Sequence, residues 1–267
     1  MDHPSGNAQR LVTLAARLGY VAKGIVYVMV GWLAVMAAAG LGGQRGGTSA
    51  AINELAGQPF GSVMIGLLAA GLFSYMAWRI IQAVFDAEHK GRGLRGIVVR
   101  LGFLISGLIY GALALHCIQL LMADASGNSS TRGRTAELMS HPGGIAAVLI
   151  IGVVFGFVGI RQIWRVWHCS WRANWHTHEM PAHHLRIADA ISRCGLTARG
   201  IVFLIIAGFL CLAAINTDPN QAKGLGGALV TLAAQPFGPW LLGAVALGLI
   251  AYGGYCFVNA RYRNVDA

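Results

Sequence analysis

The chain has 267 residues, of which 56% are hydrophobic and 11% charged, and its mean hydropathy is +0.60. Soluble domains carry about 25% charged residues, so the composition excludes an ordinary soluble globular fold. Lys and Arg number 20 against 10 Asp and Glu, a net charge of +10; in so apolar a chain this reads as membrane orientation, and no nucleic-acid partner is expected.

In chain order, the polar and weakly amphipathic segment Met1–Tyr20 leads into a long apolar stretch flanked by Arg17 and Lys23, the pattern of an uncleaved anchor. A membrane helix needs about 20 predominantly apolar residues. Uncharged stretches of that order lie at Gly24–Gln44, Leu55–Trp78, Leu101–Ala123, Leu138–Ile160 and Gly200–Thr217, and from Pro236 onward within Gly224–Ala260. Lipid offers the backbone no hydrogen-bond partners, so these stretches are predicted to be six transmembrane helices. Short outer helices are expected at Thr48–Leu55, Thr135–Met139 and Gly227–Ala233.

Six spans put both termini and the connections Phe85–Arg100 and Arg161–Arg199 on one side. That side holds all Lys and Arg but Arg45, Arg132, Arg134 and Lys223, and the acidic residues divide 6 and 4, so the whole net charge falls on one face. The positive-inside rule then predicts cytoplasmic termini in a bacterial cytoplasmic (inner) membrane. The five cysteines (Cys117, Cys169, Cys194, Cys211 and Cys256) have no CxxC spacing, and no disulfide is expected.

Three copies of one helical pair organise the chain. The first helix opens with R-x-G-x4-G-x2-[YF]: Arg17, Gly19, Gly24, Tyr27; then Arg100, Gly102, Gly107, Tyr110; then Arg193, Gly195, Gly200, Phe203. The second opens with Gln58-Pro59-Phe60-Gly61, His141-Pro142-Gly143-Gly144 and Gln235-Pro236-Phe237-Gly238. The units are residues 17–86, 100–167 and 193–263, with a basic, His- and Trp-rich connection at 168–192. All copies start on the same face, so the fold class is all-α, a polytopic membrane protein of six helices in three parallel repeats with pseudo-threefold symmetry. Each motif residue has an architectural reading: Arg reaches anionic headgroups, glycines admit neighbouring helices, Pro begins a helix, and the aromatics pack.

These starts, together with the ending Trp78-Arg79-x2-Gln82-Ala-x2-Asp86, make the chain resemble the bacterial DUF1206 family of membrane proteins over roughly Arg17–Arg263. The resemblance implies three two-helix repeats and no particular activity. Copy two departs at Arg161-Gln162-x2-Arg165, and copy three at Tyr255-Cys256-x2-Asn259-x3-Arg263.

Polar groups within spans are the functional candidates. Arg79, Gln82 and Asp86 share a helix face, and with Gln162 and Asn259 they form a candidate polar vestibule about the threefold axis; as end-of-helix residues they would instead sit in interfacial water. Lys23, Ser106 and Arg199 each follow a motif Arg by six residues, and for the cations headgroup binding comes ahead of a central anion. His116, placed in mid-span of the third helix beside Cys117, is read as hydrogen-bonded to a neighbouring helix. Trp164, Trp167, Trp171 and Trp175 share one helical face and read as an aromatic belt. His176, His178, His183 and His184, with Glu179, are the candidate metal set.

No Walker, dinucleotide or GxSxG motif and no carboxylate pair is present, so neither enzymatic activity nor a cofactor is expected. The leading expectation is a structural, interaction or lipid-associated membrane protein, with anionic lipid headgroups and membrane proteins as partners. The alternatives are a small-solute or ion transporter or channel along the axis, and a metal-binding protein acting through the His-rich loop.

Overall fold

The computed structural model describes residues 6–41, 47–85, 91, 93–122, 131–169, 171–175 and 177–263. Six long helices are apolar enough to cross a membrane: α1 (Gly6–Ala38), α3 (Gly61–Val84), α4 (Leu94–Leu121), α6 (Gly144–His168), α7 (Ala182–Ile215) and α9 (Gly238–Tyr262). Each repeat inserts a nine-residue helix between its two spans: α2 (Thr48–Ala56), α5 (Thr131–Met139) and α8 (Leu225–Ala233). We call the side bearing the chain ends the terminal face and the other the far face.

The spans are displaced from the uncharged stretches. Those on the first helices begin earlier, at Thr13, Gly96 and Ala182, and those on the second run on to Val84, His168 and Tyr262. Lys23, Arg79 and Arg199 therefore lie within spans and do not bound them.

Each second span starts from the same turn. The Gly61, Gly144 and Gly238 N–H groups donate to the carbonyls of Gln58, His141 and Gln235 at 2.8, 2.9 and 2.8 Å. The residue after Pro is left-handed in every copy, at φ 63° in Phe60, 79° in Gly143 and 62° in Phe237. This is type II turn geometry, with Pro at the second position and a positive φ at the third. Pro59, Pro142 and Pro236 thus precede their helices instead of occupying the first helical turn. A β-carbon on the following glycine would run into a carbonyl of the preceding short helix, at Ala56, Leu138 or Ala233, which is why Gly is needed there.

The six spans form a pseudo-threefold ring. Within repeats, α1 packs on α3 and α7 on α9; between repeats, α3 packs on α4, α6 on α7 and α9 on α1. Two sets of motif glycines make these contacts. A β-carbon on Gly19 would lie 2.5 Å from Tyr75 Cα, and one on Gly195 at 2.5 Å from Tyr252 Cα, so these glycines join the two helices of their own repeat. Gly24 meets the Phe257 ring, Gly107 meets Arg79 Cβ, and Gly200 meets Ile163 and the Gly159 carbonyl, so the second set joins neighbouring repeats.

The ring departs from threefold order at one seam. No packed interface joins α4 to α6 among the described residues, and a β-carbon on Gly102 would meet nothing within 4 Å. The side chains account for this. In repeats one and three the helices cross where Ala22 touches Gly71 and Ala198 touches Gly248; counted from Gly102 and Gly144, the same positions of repeat two are Ile105 and Val154. Small residues allow close crossing in a membrane, and two β-branched residues hold the backbones apart.

The connection after α6 does not continue as a helix. Cys169 turns left-handed at φ 45°, and the chain folds back through 3₁₀ turns at Arg172–Asn174 and Thr177–Glu179. Trp171, Trp175 and Met180 are buried while Trp164 and Trp167 are exposed. The expected single helical face of four tryptophans is therefore split, two outside and two tucked against the bundle.

Candidate functional site

Counting 1.5 Å per residue from the far ends of their helices, Lys23, Tyr75, Arg199 and Tyr252 all stand at a depth of ~21 to ~24 Å. That places them inside a hydrocarbon layer about 30 Å thick. The R-x-G-x4-G start sets the level: the glycines pull α1 and α7 against α3 and α9, and the residue six positions after the motif Arg is carried inward.

There Lys23 is 2% exposed. Its Nζ donates to Tyr75 Oη at 2.9 Å and lies 4.7, 4.8 and 5.5 Å from the ring centres of Tyr75, Tyr110 and Tyr252. Arg199, half-buried, donates from Nε to Tyr27 Oη at 3.0 Å and from Nη1 to Gln162 Oε1 at 3.1 Å. Its guanidinium lies 4.3 Å from the Phe203 ring and 4.7 Å from that of Tyr252. Tyr110 Oη donates to Tyr27 Oη at 3.4 Å. Residues of all three repeats thus meet at the axis.

Arg79 completes this layer. Its Nε and Nη2 donate to Tyr75 Oη at 2.8 and 2.6 Å and its Nη1 to Gln82 Oε1 at 2.8 Å, with the Phe103 ring 5.1 Å away. The prevailing chemistry is hydrogen-bond donation. Arg199 carries a permanent charge, and neither it nor Lys23 has a carboxylate partner among the described residues. Aromatic faces offset part of the cost of burying cations, but they do not neutralise a charge. Among the described residues, three further buried atoms have no hydrogen-bond partner: Gln162 Nε2, Trp78 Nε1 and Tyr20 Oη.

A second polar layer lies toward the terminal face. Trp175 Nε1 donates to Asn259 Oδ1 at 3.3 Å, and the Arg263 guanidinium lies 5.4 Å from the Tyr20 ring, which stacks edge-on against Tyr75 at 5.5 Å. Trp171 Nε1 donates to Asp189 Oδ1 at 3.1 Å, and Arg172 pairs with the same carboxylate. That carboxylate holds the Arg172 guanidinium above its ordinary pKa.

The sequence candidates are distributed as follows. Gln82 and Gln162 are brought together with Arg79 and Arg199, whereas Asn259 belongs to the second layer, and Asp86 lies outside the described residues. Lys23 and Arg199, read first as headgroup ligands, turn inward. Of the motif arginines, Arg17 is exposed, and Arg100 donates to the carbonyls of Ala83 and Val84 at 2.6 and 2.8 Å, capping α3. Arg193 donates to Cys169 Sγ at 3.1 Å. His116 meets Asn53 Oδ1 on α2 at 3.1 Å, near the end of α4 and not in mid-span.

His178, His183 and His184 are exposed and His176 lies outside the described residues. The rings of His183 and His184 are 6.2 Å apart, and no three metal-ligating side chains come together among the described residues. Sequence reasoning did not single out Tyr75 and Tyr252 as site residues, although both recur in register seven residues before Gln82 and Asn259.

Known proteins place the chain without assigning chemistry. "Uncharacterized protein YxxB" of Bacillus subtilis (strain 168) is 32% identical over 249 residues, spanning 93% of this chain and 90% of its own length. No solved structure matches. The family model described as Domain of Unknown Function (DUF1206) matches three times, over residues 18–86, 101–168 and 194–263, each interval taking in one pair of long helices. With three matched repeats and six membrane-spanning helices, the chain belongs to the DUF1206 family and is a multi-pass integral membrane protein.

Proposed function

We propose that this protein binds an anionic ligand at the buried donor centre formed by Lys23, Arg199 and Gln162. One observation carries the reading: Arg199, always charged, stands within the membrane span beside the buried amine of Lys23, with tyrosine and glutamine as their only side-chain hydrogen-bond partners among the described residues. Leaving a buried charge uncompensated costs several kcal/mol, on the order of the penalty for breaking a buried ion pair. Packing does not require that cost, since Ser106 fills the same position in repeat two. A bound anion removes it, and ionisable groups inside a bundle generally mark ligand or ion pathways.

On its terminal-face side the centre is flanked by the second polar layer. Beyond it, toward the far face, α1, α3 and α9 bury apolar Val30, Ala34, Ile65, Leu72, Leu242 and Leu249. This favours a binding site closed on one side over a continuous pore. With the positive-inside rule, the terminal face is the cytoplasmic side of a bacterial inner membrane. The scaffold reading retains the motif glycines, whose contacts are architectural, but it does not explain Lys23 and Arg199.

The test is thermal unfolding of the full chain in detergent, titrated separately with acetate, chloride and phosphate at constant ionic strength. Ligand binding to the folded state alone raises stability by about 2.7 kcal/mol at a hundredfold excess over Kd. The expected result is a saturable rise in Tm with at least one of these anions and its loss in Arg199→Gln. No saturable shift with any of them, or an unchanged shift in Arg199→Gln, overturns the reading.

A further inference from the structure

The open α4–α6 seam lies in the same repeat as Gln162 and Tyr110, two residues of the donor centre. We infer that the ligand of this centre is an anionic amphiphile that enters sideways from the bilayer, its headgroup on Lys23, Arg199 and Gln162 Nε2 and its acyl chain lying between α4 and α6. The inference rests on the anion-binding reading and adds the class of ligand and its route.

Three observations support it. The seam is built into the sequence: Ile105 and Val154 stand where the other repeats place an alanine on a glycine, so the two helices cannot cross closely. The two helices that border it expose apolar surface that suits a hydrocarbon chain. On α4, Leu101, Ile105, Leu108 and Ile109 are exposed, as are Ile150 and Ile151 on α6, and no polar side chain in this part of α4 other than Ser106 interrupts them. The inner end offers donors: Gln162 is 4% exposed, with Nε2 unpartnered among the described residues, and Arg199 keeps partial access although it stands ~24 Å from the far end of α7.

Charge complementarity selects the occupant. A neutral lipid chain could fill the seam but would leave Arg199 uncompensated, and a small soluble anion would compensate Arg199 but leave the seam unfilled. A single-headed anionic lipid does both. Phosphatidylglycerol is the probe that presents a phosphate on acyl chains.

The experiment is native mass spectrometry of the full chain released from nanodiscs of equal phosphatidylglycerol and phosphatidylcholine with matched chains. It is run on the wild type, on Arg199→Gln, and on Ile105→Ala/Val154→Gly, which restores the Ala-on-Gly crossing and lets α4 close on α6. The phosphate titration of Tm is repeated on each. The wild type is expected to retain one phosphatidylglycerol at about tenfold preference, Arg199→Gln to retain the two lipids equally, and the double variant to lose retained lipid while keeping its response to phosphate. If the double variant does not fold, Ile105→Trp blocks the seam and carries the same expectation.

Equal retention of both lipids by a wild type that responds to phosphate overturns the amphiphile and leaves the anion site standing. Undiminished retention in the seam variants overturns the lateral route. Equal retention with no response to any anion overturns both readings.

Discussion

Lys23 and Arg199 occupy equivalent positions in repeats one and three and converge on a single ring: the centre of Tyr252 lies 5.5 Å from Lys23 Nζ and 4.7 Å from Arg199 Cζ. Two cationic donors gathered at one aromatic ring repel, and that repulsion is the energetic signature of the site. Lys23→Met replaces the amine with an apolar chain of similar length and leaves Tyr75 Oη bonded to Arg79. Without added anion its Tm is expected to equal or exceed the wild type, because exchanging buried charge for apolar packing is often stabilising by about 1–4 kcal/mol. A large loss of stability would show that Lys23 is a structural linchpin instead.

The motif glycine in the first helix gives a sharper contrast because the same residue has different surroundings in different repeats. Gly19→Ala and Gly195→Ala force a methyl into the Tyr75 or Tyr252 backbone and are expected to cost about 1–3 kcal/mol or more. Gly102→Ala meets open space and is expected to be neutral, or stabilising by up to ~1 kcal/mol through helix propensity. Thermal melts of the three single variants in one detergent check this. Equal losses would mean that α4 and α6 pack as the other pairs do.

The turn before each second span makes a third prediction. Phe60 and Phe237 hold positive φ, which costs an L-residue roughly 1–2 kcal/mol, and repeat two has Gly143 there. Phe60→Gly is expected to raise stability by about 1 kcal/mol unless the exposed ring anchors the protein in lipid. Measuring it in detergent and in bilayers separates strain from anchoring. Gly238→Ala, which collides with the Ala233 carbonyl, is expected to destabilise in both.

On the terminal face, the folded-back connection is held by Asp189, which receives Trp171 Nε1 and Arg172. Asp189→Asn keeps an acceptor for the indole and loses the ion pair. Because the Arg172 side chain is 47% exposed, the global cost is expected to be small, about 1 kcal/mol or less. Asp189→Leu loses both bonds, and protease cleavage within residues 169–181 is expected to accelerate markedly in Leu and only slightly in Asn. Equal cleavage in all three proteins would mean that the connection is held elsewhere.

How far the site could be read from the sequence follows from how membrane sequences are read. Uncharged length marks a span, so Lys23, Arg79 and Arg199 read as span boundaries, and Lys23 and Arg199 as headgroup ligands, while Gln162 already reads as part of a vestibule at the axis. The threefold repetition was plain, because Gly19, Gly195 and the Pro-x-Gly turns recur with unchanged spacing. The seam was also present, as Ile105 and Val154 at Ala and Gly positions, but its meaning required knowing that Ala22 touches Gly71. Trp171 and Trp175 kept helical spacing through a segment that leaves the helix at Cys169, where periodicity carries no information about the turn.

The most direct measurement is an experimental density map of the full chain in nanodiscs containing phosphatidylglycerol, at a resolution that shows side chains. The account predicts non-protein density in contact with Lys23, Arg199 and Gln162, extending between α4 and α6, and its absence at the centre in Arg199→Gln. A carboxylate of this chain seated on Arg199, or an α4–α6 interface closed like those of the other repeats with no density at the centre, would contradict it.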